Sequence, residues 1–197
     1  MSKLEFENKK VEFSKKYKLK RIILTSDVFL ALGIERPPEF LITKPNRTLS
    51  GVTVVAVMTK PSPCPGNCVY CPSWDNAPKS YTGFEPASMR AKRNNFDPRL
   101  QIRDRLKQLK NTGHPINKIE LIVMGGTFPA MPVAYQEEFM RGVYQEITNP
   151  KETNLETLKK KAMKSRNRIV GITFETRPDY CGRDVIKRLL YYGGTRV

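Results

Sequence analysis

The sequence predicts an α/β fold with a parallel sheet, preceded by a small, mostly helical basic region. Three observations carry this. Runs rich in Val, Ile and Leu at residues 51–58, 118–124 and 168–174 are each followed by a stretch with helical periodicity. Each run ends in residues that make turns or carry chemistry, where α/β proteins place their sites. Residues 1–50 are of a different character: Lys9, Lys10, Lys15, Lys16, Lys18, Lys20 and Arg21 fall within thirteen positions.

Among 197 residues, 35 are Lys or Arg and 19 are Asp or Glu, a formal charge of +16. A balance this basic says nothing of fold but favours a polyanionic partner, of which nucleic acid is the commonest. No run of about 20 apolar residues is present, so no membrane-spanning helix is expected. Met1-Ser2-Lys3-Leu4-Glu5-Phe6 lacks the apolar core of a signal peptide. Four cysteines without a disulfide framework suit a reducing compartment, and the expected location is the cytoplasm.

In chain order, the basic lead-in interleaves its lysines with Phe13, Tyr17 and Leu19. Such a segment can track a phosphate backbone while its rings stack on bases; it can equally be a solvated helix face. Ile22-Ile23-Leu24 and Val28 to Leu32 give a helical apolar stripe, with Ser26 or Asp27 to cap it and Gly33 to end it. Gly51–Met58 is β-branched and nearly all apolar, the pattern of a parallel strand buried on both faces. Ala87–Lys110 reads as helix interrupted at Asp97-Pro98, with Leu100, Ile102, Leu106 and Leu109 inward. Lys118–Met124 is the second strand, Val133–Ile147 a helix, Asn154–Arg166 another, and Arg168–Phe174 the third strand. Asp184–Tyr192 is a helix ended by Gly193-Gly194, and Thr195-Arg196-Val197 reads as the start of a fourth strand. No repeat of helical-array period and no low-complexity tract appears. Three strands and a stub cannot close a barrel, and the last would expose unpaired backbone at an edge. The chain therefore reads as cut short.

The most specific stretch is Cys64-Pro65-Gly66-Asn67-Cys68-Val69-Tyr70-Cys71-Pro72, directly after the first strand. Closely spaced thiolates converge on one soft metal centre, zinc or iron–sulfur. Closed sites of either kind take four protein ligands, so three thiolates leave one position open. The alternative is a zinc knuckle with Cys181 or His114 as a distant fourth ligand. Gly125-Gly126-Thr127 ends the second strand, where bare backbone lets a ligand approach closely. Glu175 and Arg177 follow the third strand two residues apart, a spacing that projects both to one side, toward ribose hydroxyls and a carboxylate. Their alternative is a structural ion pair.

Four blocks carry a resemblance: Cys64 to Pro72, Ser80-Tyr81-Thr82-Gly83-Phe84-Glu85-Pro86-Ala87-Ser88-Met89-Arg90-Ala91, Val123 to Pro129, and Thr173 to Asp179. Together, and in this order, they resemble the catalytic subunit family of Elongator, radical S-adenosylmethionine enzymes that modify tRNA uridine. The likeness runs from about Lys44 to the last residue, and the Tyr-Thr-Gly-Phe-Glu-Pro block is its most specific part. It implies a partial, truncated radical SAM TIM-like barrel over residues 51–197, after a tRNA-binding region over residues 1–50. It implies a [4Fe–4S] cluster on Cys64, Cys68 and Cys71, and S-adenosylmethionine near Gly125, Gly126, Thr127, Glu175 and Arg177. In that family a 5′-deoxyadenosyl radical activates the methyl group of acetyl-CoA, and addition to C5 of the wobble uridine gives 5-carboxymethyluridine. The family's acetyl-CoA-contacting lysine falls on Lys118, and tRNA on the lysines of the lead-in with Arg21. The family's C-terminal acetyltransferase-like domain is missing here. Partners implied are tRNA, acetyl-CoA, and either a chain that supplies the remaining strands or a second copy at the open sheet edge. By this reading Cys181 is a spare thiol, His114 packs or caps, and Trp74 and Tyr81 shield the cysteine loop.

Overall fold

The computed structural model describes residues 1–34, 37–148 and 151–197. Three parallel strands, β1 (Thr53–Met58), β2 (Lys118–Met124) and β3 (Arg168–Phe174), lie in the order β1-β2-β3. Thr53 aligns with Ile119 and Lys118 with Arg168, and a bulge at Ile119/Glu120 lets Val170 slip out of register. The crossovers are helical: α3 (Pro86–Arg93) and α4 (Pro98–Asn111), then α5 (Val133–Ile147) and α6 (Leu155–Lys164). These follow α1 (Lys3–Lys16) and α2 (Thr25–Ala31) of the lead-in, and α7 (Arg183–Tyr191) comes after β3.

Three of the helices begin at a side-chain cap. Ser2 and Glu5 form a reciprocal cap on α1, with Ser2 Oγ accepting from the Glu5 amide at 3.2 Å. Asp97 stops α3 from running into α4, because its carboxylate accepts from the Arg99 and Leu100 amides at 2.7 and 3.1 Å. Pro98 occupies the first position of α4, where its missing donor costs nothing. The Asn154 side chain caps α6 at the Thr157 amide, 2.9 Å away.

The lead-in departs from its sequence pattern. Ile22 to Leu24 are not helical; the Ile23 amide donates to Ser14 Oγ on α1 at 3.1 Å, which lays this segment back along the first helix. Neither Ser26 nor Asp27 is the cap of α2. Asp27 stands in the first turn and reaches back to the Leu24 amide at 2.9 Å. Gly33 does turn the chain at the end, at φ +62°. Of the four apolar residues expected inward on α4, Ile102 and Leu109 are buried and Leu106 packs beside them, whereas Leu100 is 39% exposed, off the packed face.

One face of the sheet is the core. Val55, Val57, Ile119, Leu121, Val123, Ile172 and Phe174 are buried there against Ile102, Met140, Val143 and Leu158 of the helices. The expectation of burial on both faces fails: Val54 is 44% exposed, and Ala56, Glu120, Ile122 and Met124 are half-buried on the other side. The apolar run at β1 marks a second face that the described helices do not fully cover.

Side chains close much of one sheet edge and the C-terminal backbone much of the other. At β1, Gln101 is fully buried and copies a neighbouring strand, accepting from the Met58 amide and donating to the Met58 carbonyl, each at 2.9 Å. Arg90 donates to the Ala56 carbonyl at 2.8 Å. At β3, the Thr195 amide donates to Ile172 O at 2.8 Å and the Phe174 amide to Arg196 O at 3.0 Å. The fourth-strand stub thus pairs in parallel with β3. A free edge for self-association is limited to what remains outside these contacts.

Candidate metal and cofactor site at the strand ends

The loops that leave β1, β2 and β3 meet at one end of the sheet. Cys64, Cys68 and Cys71 lie on the first loop as half-buried free thiols. Cys64 Sγ stands 3.2 Å from Thr127 Oγ1 on the second loop. Cys68 Sγ accepts from Arg177 Nη1 on the third at 3.3 Å. Cys71 follows in a turn closed by its own amide on Cys68 O at 3.1 Å. Gly66 leaves room for that arginine: a Cβ there would sit 1.2 Å from Arg177 Nη1.

The electrostatics favour thiolate. Burial pushes the Cys64 thiol up, but the Thr127 hydroxyl, the Gly66 amide and the Arg177 charge together hold it below its ordinary range. Among the described residues, no three Cys, His, Asp or Glu side chains stand together in this conformation as a metal-holding group. The donor set itself fits an iron–sulfur centre: three soft thiols on one short loop beside a cation. Two buried hydroxyls, Thr59 Oγ1 and Thr176 Oγ1, have no partner beside this region, at the ends of β1 and β3. His114 and Cys181 do not complete a zinc site. The His114 ring is buried, with Nδ1 2.9 Å from Thr48 Oγ1 and Nε2 2.8 Å from Thr43 O, so it ties the lead-in to the loop before β2. Burial lowers its pKa, which favours this neutral, bridging form. Cys181 lies past the third loop as a free, half-buried thiol.

Glu175 and Arg177 are not aimed at one point as their spacing suggested. The chain leaves the strand at Phe174, so alternation no longer sets their directions. The Glu175 carboxylate accepts from the Tyr81 hydroxyl, and its amide donates to Val123 O at 3.0 Å. Arg177 turns to Cys68 and forks onto Asp179 at 2.9 and 2.7 Å. Tyr81 is therefore a positioner and not a shield. Burial first, then the hydrogen bond to Glu175 and that residue's charge, drives its phenol pKa far up, so it remains a donor. Trp74 is 57% exposed, with its ring edge-on to Phe84 at 6.3 Å.

The segment carrying Tyr81 crosses all three strand ends. The Ser80 amide donates to Pro72 O and the Gly126 amide to Lys79 O, each at 3.2 Å. Glu85 fixes its far end: its carboxylate accepts from the Thr82 amide and hydroxyl and from Ser88 Oγ, each at 2.8 Å, and from the Gly83 amide at 3.1 Å. Sequence reading missed Glu85, although Thr82-Gly83-Phe84-Glu85 has the Thr-x-x-Glu spacing of a capping box.

Gly125 and Gly126 take φ +119° and +54°, and a narrow cleft lined by Thr59, Ser62, Pro78, Gly125, Gly126 and Thr127 runs beside them. A Cβ on Gly125 would lie 2.3 Å from Thr59 Oγ1. Gly125→Ala is expected to cost about 2–3 kcal/mol, from the forced backbone conformation and the collision. A urea midpoint unchanged from wild type would contradict that.

Two groups of expected site residues lie elsewhere. Lys118 opens β2 at the opposite end from Gly125, on the order of 20 Å along the strand. It is exposed, and the structure does not bring it to the thiols. In the lead-in, Lys9, Lys15, Lys16, Lys18 and Lys20 are exposed. Lys10, unlike its neighbours, is only 8% exposed and is bonded to Glu7 at 2.8 Å and Thr25 Oγ1 at 3.1 Å, so its charge joins α1 to α2 and is not offered to solvent. Arg21 is paired with Asp27 at 2.9 Å, though still exposed.

No family model matches the sequence. Curated relatives do. The tRNA uridine(34) acetyltransferase of Methanocaldococcus jannaschii is 48% identical over 160 residues, covering 78% of this chain and 30% of that protein. Human Elongator complex protein 3 is 44% identical over 179 residues, covering 82% and 33%. Among solved structures, an N-terminally deleted Elp3 of Methanocaldococcus infernus aligns with TM-score 0.57 and 38% identity, over 75% of this chain and 28% of that one. The chain is thus a homologue of the tRNA uridine(34) acetyltransferases and Elongator complex protein 3, and it spans about 30% of the length of such relatives.

Proposed function

We propose that this chain is the cluster-bearing part of a radical S-adenosylmethionine enzyme that modifies the wobble uridine of tRNA. The observation that carries the reading is the meeting of all three strand ends at the cysteine loop, through Cys64 to Thr127 and Cys68 to Arg177. Cys64, Cys68 and Cys71 would hold a [4Fe–4S] cluster. When bound, that cluster supplies the electron for reductive cleavage of S-adenosylmethionine. The remaining chemistry belongs to the chain. Thr127 and Arg177 favour the thiolate form of Cys64. Glu175, oriented by Tyr81, presents a carboxylate to ribose hydroxyls. Gly125 and Gly126 let backbone approach the cofactor without a side chain between them.

The half-exposed face of Val54, Ala56, Ile122 and Met124 is what the interior of a barrel would use, so the sheet reads as the first part of one, over residues 51–197. Residues 1–50 would be the tRNA-binding region, with Lys9, Lys15, Lys16, Lys18 and Lys20 on the phosphates and Arg21 shared with Asp27. The acyl donor would be acetyl-CoA and the product 5-carboxymethyluridine. A contact of acetyl-CoA with Lys118 would lie away from the thiols, at the other end of β2. Completing this chemistry takes the acetyltransferase-like part of the family, supplied by further chain or by a partner.

The test is anaerobic reconstitution with iron and sulfide, followed by metal analysis and assay of 5′-deoxyadenosine from S-adenosylmethionine and dithionite. About four irons per chain are expected, lost in Cys68→Ala. One zinc per chain, with no visible absorbance and no 5′-deoxyadenosine, would sink the reading in favour of a zinc-bearing RNA-binding module.

A further inference from the structure

A second basic surface lies away from the thiol loop and outside the lead-in. From Thr157 to Phe174 the sequence has no acidic residue, while Lys159, Lys160, Lys161, Lys164, Arg166 and Arg168 fall within ten positions. Some of these charges are already used. Lys159 donates to Glu156 and to Tyr191 O, each at 2.6 Å, and Lys161 to Glu152 at 3.0 Å. Lys160, Lys164 and Arg168 are exposed and form no ion pair among the described residues. Arg168 is the direct register partner of Lys118, so two exposed cations stand side by side where β2 and β3 begin. Like charges placed opposite each other on neighbouring strands disfavour the fold, and a bound anion would relieve that.

Just before Arg168 in the chain, α6 and the end of α5 line an open groove of about 450 Å³ with Thr148, Thr157, Lys160, Lys161, Lys164 and Ser165. Thr148 and Ser165 turn their hydroxyls to the Tyr144 and Ile147 carbonyls, at 2.7 and 3.3 Å. The donors left for a ligand in the groove are the Lys160 and Lys164 ammonium groups and the Thr157 hydroxyl, all on one helix. Arg168 follows four positions after Lys164, where β3 begins. A single small anion calls for donors that converge, whereas cations spaced along a surface suit a chain of phosphates.

We propose that this groove, with Lys160, Lys164 and Arg168, binds the phosphodiester backbone of RNA. The surface lies at the end of the sheet opposite the thiols, so it would grip a part of the RNA other than the one undergoing reaction. The inference rests on the tRNA reading above and adds a second binding surface to it.

The experiment is titration of fluorescently labelled tRNA with the full chain across a series of salt concentrations. The triple variant Lys160→Gln/Lys164→Gln/Arg168→Gln is expected to bind roughly tenfold more weakly at low salt. Its slope of log affinity against log salt should be shallower by about 2, as for three lost phosphate contacts. Its melting temperature should be no lower than wild type, since all three side chains are exposed and the repulsion between Lys118 and Arg168 is removed. A wild-type slope in this variant, with the parent chain binding tRNA, would overturn the second surface and leave the tRNA reading standing. A parent chain that binds no tRNA would overturn that reading itself. Saturable binding of inorganic pyrophosphate, lost in the triple variant while tRNA affinity holds, would reassign the groove to a small anion.

Discussion

Phe128→Ala is expected to lower the unfolding free energy by about 3–5 kcal/mol, the range for removing a fully buried aromatic ring. Phe128 follows Thr127 immediately, in a short helical turn where the Ala130 amide closes onto Thr127 O at 2.9 Å. Its ring is fully buried and stacks on Phe174 at 5.3 Å, with Phe139 at 5.7 Å and Tyr192 at 6.4 Å around it. It therefore anchors the loop that carries Gly125, Gly126 and Thr127 to the end of β3 and to the helices α5 and α7. The cavity left by alanine would be lined by three aromatic rings that cannot collapse into it without moving those elements. Phe128→Leu keeps most of the volume and should cost less than half as much. Equilibrium unfolding in urea checks both; equal midpoints for alanine and wild type would mean that the ring cluster does not hold the loop.

Much of this architecture is legible in the residues. All three strands, the break at Asp97-Pro98 and the stub at Thr195 follow from apolar runs, a capping aspartate and glycine punctuation. The meeting of three loops at the cysteines follows from parallel strands, whose C-terminal ends share one side. What sequence spacing does not show is which side chains pair across loops. Strand alternation would send Glu175 and Arg177 to one ligand, but beyond Phe174 there is no strand to enforce it, and Tyr81 and Asp179 claim them separately. Lys10 looks like its neighbours in a list of charges. Only the return of the chain at Ile23 and Thr25 buries it. Lys118 sits in the same run as the Gly-Gly-Thr turn, yet a strand between two residues puts them at opposite ends of a sheet.

The second large effect is expected at Glu85. One carboxylate there serves the Thr82 and Gly83 amides and the Thr82 and Ser88 hydroxyls, just before α3 begins at Pro86. The Thr82 amide above all, with burial opposing it, brings the Glu85 pKa down to about 2 from an ordinary 4.5. Glu85→Ala leaves these donors to solvent and should cost about 2–3 kcal/mol; Glu85→Gln, which keeps an acceptor oxygen, should cost about 1 kcal/mol. The sign of the pH dependence follows from the depressed pKa. The charged form stabilises the fold fully above pH 4.5, and that contribution disappears as the pH falls toward 2. The gap in stability between wild type and Glu85→Gln should therefore be constant near neutral pH and close on acidification through that window. A gap that stays open at low pH would show that the variant fails for shape and not for charge. The consequence reaches the site, because Thr82 is the neighbour of Tyr81, and Tyr81 holds Glu175. Releasing the turn frees that carboxylate while leaving the cysteine loop's own contacts, Cys64 with Thr127 and Cys68 with Arg177, in place. On the proposed function, cluster uptake in Glu85→Gln should match wild type while S-adenosylmethionine binds more weakly, a separation measurable by iron analysis and calorimetry on the same reconstituted sample.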